Sequence, residues 1–428
     1  MSDMLQWVED VTPLNRVFCS DGYDQAIEYF SHIIPFVVHE YSQGGHNGWE
    51  IHPHWDVEEA VILKDGQLIW DGTKHPLGVI ALSAPFEGHI SCAELKRHLH
   101  FDQRFPQAIP YHFRQMYRPW DRDWGFCVPR TLYDNLTSGF YDVRIRTREK
   151  AGVLRIPECT KPGSSDLTFV FVAHLDHPGM SNDDLCGCVV GVELMRRLLK
   201  MDTKYSYKLL LVQEIIGSEY YLSKMLAKEK KIIFESLFLE MLGSKTPLAI
   251  QKTRDGSSLL VDALEKSMTN LKLEYRTGSF RSIICNDESI WESYGHPMAT
   301  LTRAPYPEYH SDLDNPSIIS TKRLEESVAA LLGAVAVIEQ ATIIVKDFLG
   351  TICLSNPNYD LYIETHQPAF SEHVPDDHFQ KIRQLMDFIP CMDRPTTLER
   401  LSKEFNISEA VALKYLQKWR DKKLLRIF

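Results

Sequence analysis

The run His174-Leu-Asp176, with Asp183 seven residues further on, carries the densest chemistry in the chain. It stands in the segment Ala-His-Leu-Asp-His-Pro-Gly-Met-Ser-Asn-Asp-Asp-Leu-Cys-Gly and follows at once on the apolar stretch Leu167–Ala173. An imidazole and a carboxylate two positions apart, at the end of a buried strand, present metal ligands on one loop. A second carboxylate on the next loop can close one side of a metal pocket. Oxygen and nitrogen donors without thiolate suit zinc, with manganese and cobalt as alternatives. Such a ligand set points to a metal-dependent hydrolase.

Four further segments offer the same kinds of group. Leu209–Glu214 reads as a buried strand ending in a carboxylate, and Leu237–Glu240 as another. Asn286-Asp287-Glu288 precedes a helix, and Tyr309-His310 leads through Asp314 into the last long helix. Taken alone, each has a structural account. A histidine among apolar residues is commonly a satisfied core group, and a strand-end glutamate is commonly solvated or a cap. Their order is the stronger signal, because each falls at a strand end or a loop opening of one α/β unit. His177, three residues after His174, is a further candidate ligand.

The elements that must position these residues follow from hydrophobic periodicity. Strands are expected at 141–147, 167–173, 207–213, 235–240 and 297–302, and helices at 184–200, 217–230, 257–270, 286–294 and 321–347. Alternation of this kind implies an α/β fold, a mostly parallel mixed sheet with helices on both faces. Residues 21–41 carry helical spacing, with Pro35 as a kink or a break. Residues 43–129 are rich in short alternating stretches and turns and form an expected β-rich insertion between 1–42 and 130–350 of the α/β domain. Residues 351–375 are expected as a linker. Residues 376–428 form a helical unit, with Thr396 and Glu399 as a capping box, Ser408 as the next cap and a terminal strand. That order is winged-helix-like, with a wing that is short or missing.

Composition bounds the rest. The chain has 428 residues, 44% hydrophobic and 25% charged, with a net charge of −11. These values fit a globular protein with a substantial core and argue against nucleic-acid binding by the whole chain. There is no apolar run long enough to span a membrane, and the amino terminus lacks a signal-peptide pattern. Nine scattered cysteines without a CxxC pair fit reduced thiols and a cytoplasmic location. Cys186 and Cys188 open an apolar helix and are expected to pack.

Together, His174-x-Asp176, Asn182-Asp183-Asp184-x-x-Gly187, Gln213-Glu214, Glu240-Met-x-Gly243, Asn286-Asp287 and Tyr309-His310 through Asp314 resemble the zinc aminopeptidase family with its co-catalytic two-metal site. The insertion, marked by His54-Trp55 through Ala60, Leu95 through Leu99, Ile109-Pro-Tyr111 and Trp124 through Cys127, resembles that of a bacterial subgroup with a C-terminal winged helix. The resemblance implies roles. His174, Asp183, Glu240 and His310 are metal ligands, with Asp183 bridging. Asp176 holds the His174 imidazole. Glu214 is the general base that takes a proton from the attacking water and delivers it to the leaving amine.

One position departs from the pattern. The family has two adjacent glutamates where this chain has Glu214-Ile215. Without a gap, one zinc keeps His174, Asp183 and Glu240 and binds tightly, and the second keeps only Asp183 and His310. Open alternatives are Glu214 as a ligand, one ion held by a mixed set, or His177 as a substitute. Helix capping is an adequate account of Asp287, and Asp314 is expected to tie the His310 loop. His46, His52, His54, Trp55 and Trp124 are expected to pack, with a substrate entrance as the alternative.

Two functions from different classes result. The first is an amide-cleaving metallohydrolase, an aminopeptidase acting on a peptide or aminoacyl-type small substrate. The second is a ligand- or metal-binding regulator with little or no turnover, whose residues 376–428 contact DNA or protein through Lys414, Lys418, Arg420, Lys422 and Lys423. Nucleic acid is thus a partner only through that segment, and a homo-oligomer stays open.

Overall fold

The apolar run before the motif forms the strand Thr168–His174, every residue of which is buried. It pairs in parallel with Ser206–Val212 on one side and with Ile233–Glu240 on the other, and Ile233–Glu240 pairs in parallel with Met298–Thr302. The computed structural model describes residues 3–42, 44–226, 230, 232–363 and 377–428. It divides into two compact units, 1–335 and 336–428.

The parallel strands are the centre of an eight-stranded mixed sheet. Val37–Tyr41 and Leu154–Lys161 extend it in antiparallel fashion beyond Ser206–Val212. Leu248–Gln251 and Tyr275–Gly278 complete the other edge. From Thr168–His174 the chain passes through the helix Leu185–Leu198 to Ser206–Val212, then returns through Ile216–Lys224 to Ile233–Glu240 on the opposite side. This reversal is a topological switch point, where open α/β sheets hold ligands at the carboxyl ends of their strands. Gly187 lets the first helix close on the sheet, since a Cβ there would meet the Leu239 carbonyl oxygen at 2.2 Å.

Several expected elements differ. The helix from Asp21 stops at Ser31, and Val37–Tyr41 is a sheet strand, because Pro35 ends the helical pattern. The strand expected at 141–147 runs from Phe140 to Lys150, but outside the main sheet. It pairs with His54–Lys64 and Phe86–Ser91 in a four-stranded antiparallel sheet completed by Gln67–Asp71. Its alternation of buried and exposed residues fits a sheet with one covered face. The helix expected at 321–347 ends at Ile338, and Ile343–Lys346 is a strand. Of the helix expected at 217–230, Ile216–Lys224 is helical, and 227–229 lie outside the described residues.

The second unit contains the helices Asp377–Phe388, Leu398–Glu404 and Glu409–Asp421. Its three-stranded sheet has Ile343–Lys346 between Thr396–Thr397 and Leu425–Ile427. Thr397, one residue later than expected, caps the second helix, and Ser408 caps the third. Within the expected linker, Leu361 is buried in this unit's core, and 364–375 lie outside the described residues. No helix among the described residues is long and apolar enough to cross a membrane.

Candidate metal centre

The carboxyl ends of the parallel strands bring the site together. His174 ends one strand and Glu240 another, while Gln213 and Glu214 follow a third at Val212. His174 is fully buried, and its Nε2 donates to Asp287 Oδ2 at 2.7 Å. The same carboxylate oxygen accepts the Ile215 backbone N–H at 2.9 Å. Position 215 therefore reaches the cluster through its amide. Its φ of 62° is strained for a β-branched residue, and Ile216 N–H bonds back to the Glu214 carbonyl across it at 2.6 Å.

Two expected roles are corrected here. Asp176 was expected to hold the His174 ring, but Asp287 makes that hydrogen bond, and Asp176 Oδ1 instead accepts the Glu214 backbone N–H at 3.0 Å. Asp287 was expected to cap the helix that follows, but its side chain makes no capping bond. With Nε2 on a carboxylate, His174 offers Nδ1 as its free ligand atom. A carboxylate behind an imidazole in this way fixes ring orientation and raises ligand basicity.

Asp183 and His310 meet from loops far apart in sequence, with His310 Nε2 3.1 Å from Asp183 Oδ2. Asp314 ties these loops together. Its carboxylate accepts the backbone N–H groups of Asn182 at 2.7 Å and Asp183 at 3.0 Å and the Tyr306 hydroxyl at 2.6 Å. The insertion supports the same loop from the other side. Tyr111 N–H donates to the His310 carbonyl at 2.9 Å, and the rings of Tyr111 and Phe113 stand edge-on to the His310 imidazole at 5.3 and 5.1 Å. Tyr309 stacks on that imidazole at 3.8 Å. From the same insertion, the Tyr117 hydroxyl donates to Glu214 Oε2.

Among the described residues three groups have potential ligand atoms within 4.8 Å of one another, and two of them are here, His174 with Asp176 and His177, and His177 with Asp183 and His310, while Asp21 with His54 and Asp56 lies apart in sequence. Glu240 belongs to none of them, although the charges of Asp184 and Asp183 act on it. One Glu240 oxygen accepts from the Asn286 amide. Burial, reinforced by those neighbouring charges, pushes the Glu240 carboxyl well above its usual range. Burial pushes Asp176 up to about 6. For His174, burial acts downward, but Asp287 and other carboxylates outweigh it and raise the imidazole to about 10. For Asp183, burial acts upward, but His177 and His310 outweigh it and hold the carboxyl low.

Burial is thus the main cause for the two carboxyls, and the surrounding carboxylates are the cause for the His174 imidazole. Unpaired buried charge is costly, and so is a buried polar atom without a partner. His174 Nδ1, Asp176 Oδ2, His177 Nδ1, Glu240 Oε2 and Asp287 Oδ1 are all buried without a hydrogen-bond partner. A divalent cation answers both deficits, so the donor set fits a metal ion.

Some supporting residues gave no sequence signal. Arg16 is fully buried and donates to the carbonyls of Leu175, His177 and Met180 at 2.9, 2.8 and 2.9 Å, gathering the motif loop. Tyr117 lies in an irregular stretch without periodicity. Of the insertion's aromatic and histidine residues, Trp124 packs between Phe86 and His98, Trp55 donates to the Ser83 carbonyl, and His54 pairs with Asp21 and Asp56. His46 bonds to the Tyr294 hydroxyl. His52 stacks on Phe18 and also lines a cavity of about 250 Å³ with Trp49, Met116, Tyr117, Trp120 and Ile216.

Residues 5–341 match the family DUF4910, described as a domain of unknown function. A Clostridium acetobutylicum protein provisionally named for polysaccharide biosynthesis, with an aminopeptidase-like domain, is 26% identical over 338 residues, covering 78% of this chain and 76% of that protein. The crystal structure of a C. acetobutylicum protein provisionally named a peptidase aligns with a TM-score of 0.76 at 22% identity, over 100% of this chain and 96% of that one. BSAP, a zinc aminopeptidase from Bacillus subtilis, aligns with a TM-score of 0.58 at 13% identity, over 78% and 92%. At these identities the structural likeness establishes the fold, which is that of the zinc aminopeptidases.

Proposed function

The chain belongs to the DUF4910 family, and we propose that it is a metal-dependent hydrolase that cleaves an amide bond, most simply as an aminopeptidase. The observation that carries this reading is the cluster of buried imidazoles and carboxylates with unpaired ligand atoms at the carboxyl ends of parallel strands. His174, Asp183 and Glu240 would hold a zinc ion, with His310 joining through Asp183. When bound, the ion supplies a Lewis acid that makes water nucleophilic near neutral pH and polarises the scissile carbonyl.

The chain's own residues do the rest. Glu214 stands at the edge of the cluster with a fifth of its side chain exposed, open to both water and substrate. It takes the proton of the attacking water and passes it to the leaving amine. Tyr117 holds that carboxylate, and Asp176 holds the backbone beneath it. Asp287 sets the His174 ring. The cavity beside Tyr117, walled by Trp49, Met116 and Trp120, has the size and apolar aromatic character to seat one large side chain of the substrate.

The test is hydrolysis by zinc-loaded protein of a panel of aminoacyl amides and short peptides. The name of the C. acetobutylicum relative adds N-acylated sugars to that panel. Zinc-dependent release of amine supports the reading, and zinc binding without turnover on any amide refutes it. That second outcome corresponds to a binding protein, the alternative that the missing carboxylate at Ile215 favours.

A further inference from the structure

His177 is only one of several open substitutes by sequence, yet it is the residue shared by both groups of ligand atoms at the strand ends. The residue is 2% exposed, and its Nδ1 has no hydrogen-bond partner. A buried histidine that merely fills a core pairs its ring nitrogens. The nitrogens of this ring instead stand 3.8 Å from Asp176 Oδ2 and 3.7 Å from Glu214 Oε2, beyond hydrogen-bond distance, and its centroid is 5.9 Å from that of His174 and 6.1 Å from that of His310.

The backbone is built to keep it there. His177 has a φ of 76°, a conformation that non-glycine residues rarely adopt. Its carbonyl is held by the buried Arg16 guanidinium at 2.8 Å, and Tyr111 covers the ring edge-on at 5.7 Å. Meanwhile position 215, where a carboxylate ligand is expected, contributes an amide to Asp287. Asp183 and His310 are thus left one ligand short, and a His177 ring nitrogen lies within 4.8 Å of both of their ligand atoms.

We propose that His177 is a metal ligand and completes, with Asp183 and His310, the second ion site in place of the carboxylate missing at Ile215. The proposal rests on the metal-dependent reading above. Its chemical consequence is a shift of donors. Two neutral imidazoles and one carboxylate replace one imidazole and two carboxylates, so the site carries one negative charge fewer. Imidazole-rich sites favour zinc, cobalt and nickel over manganese and magnesium.

The experiment measures metal content and affinity of the full chain, stripped with chelator and titrated separately with zinc and manganese. The wild type is expected to take up two zinc ions per chain. His177→Ala is expected to keep one and to bind the second more than about 100-fold more weakly, beyond what loss of a mere hydrogen-bond partner of a ligand produces. Its metal-free melting temperature should match that of the wild type. His177→Glu, which restores a carboxylate, should retain two ions and gain manganese affinity, and it serves as the test if the alanine variant does not fold. Two ions in His177→Ala with wild-type affinity overturn the proposal. One ion in the wild type also overturns it and leaves the hydrolase reading standing. No bound ion in the wild type overturns that reading and the proposal with it.

Discussion

Replacing Glu214 with glutamine separates a base from a ligand. The side chain keeps its volume, and the amide oxygen can still accept from Tyr117, so the cavity wall and the fold should survive. The backbone N–H of residue 214 still reaches Asp176, whose bond at 3.0 Å does not depend on the side chain. What disappears is the proton acceptor. Loss of a positioned general base lowers turnover about 10²- to 10⁴-fold, or about 2.7–5.4 kcal/mol at about 1.36 kcal/mol per decade. Tyr117→Phe should cost less, since it removes a hydrogen bond to a charged group worth about 1.5–3 kcal/mol but leaves the base in place. A double-mutant cycle should show the two changes coupled by a similar amount, because the glutamine offers Tyr117 only a neutral acceptor. The assay is turnover of an aminoacyl anilide at saturating zinc, with metal content measured on the same samples. Glu214→Gln that loses its zinc while melting normally would make Glu214 a ligand. Turnover within tenfold of the wild type would place the base elsewhere.

Three other expectations concern the same structure. Stripping the metal should abolish hydrolysis and lower the melting temperature, and zinc at about 100 times its dissociation constant should restore about 2.7 kcal/mol, read by thermal melts at defined free zinc. Asp287→Asn should weaken zinc binding about 10- to 100-fold with the fold intact, because it removes the charge behind the His174 imidazole, and competition with a chromogenic chelator measures it. Glu158 tests the sheet apart from the site: it binds His39 at 3.0 Å, Tyr221 at 2.7 Å and Lys208 at 2.9 Å. Burial acts to raise this carboxyl, but those partners outweigh it and hold it well below its ordinary 4.5. Its contribution is therefore present above about pH 4.5 and lost as pH falls toward the depressed folded value. Glu158→Gln should cost about 1–3 kcal/mol at pH 7 and progressively less below pH 4, by urea unfolding.

The sequence carried the central sheet because its strands are buried on both faces and read as continuous apolar runs, as in Thr168–His174 and Ser206–Val212. It was less legible where local pattern and long-range pairing compete. Val37–Tyr41 continues a helical periodicity, and only its pairing with Leu154–Lys161 makes it a strand. Phe140–Lys150 has the alternation of a half-covered strand, and its partners His54–Lys64 and Phe86–Ser91 place it in the insertion's sheet. Residues 343–346 extend an apolar helix in sequence but pair with strands at 396–397 and 425–427. Pairing across such distances leaves no periodic trace.

The site shows the same division between residue type and partner choice. Residue types at strand ends pointed to His174 and Glu240, and those on the loops beyond them to Asp183 and His310, as candidate ligands, since an open α/β sheet presents its ligands there. Which carboxylate supports which imidazole was not legible. Asp176 and Asp287 are equally plausible partners for His174 by type, and in the structure Asp287 takes both the imidazole and the Ile215 amide. Position 215 reaches Asp287 through its amide, and its isoleucine side chain supplies no carboxylate. This leaves the Asp183 and His310 pair with room for one more ligand, next to a histidine whose carbonyl is fixed by Arg16 and whose Nδ1 is unpaired. The proposal joins these two facts, a carboxylate absent at position 215 and a buried histidine within 4.8 Å of the Asp183 and His310 ligand atoms. The metal titrations of His177→Ala and His177→Glu decide between a ligand set rebuilt across two loops and a family site with a ligand lost.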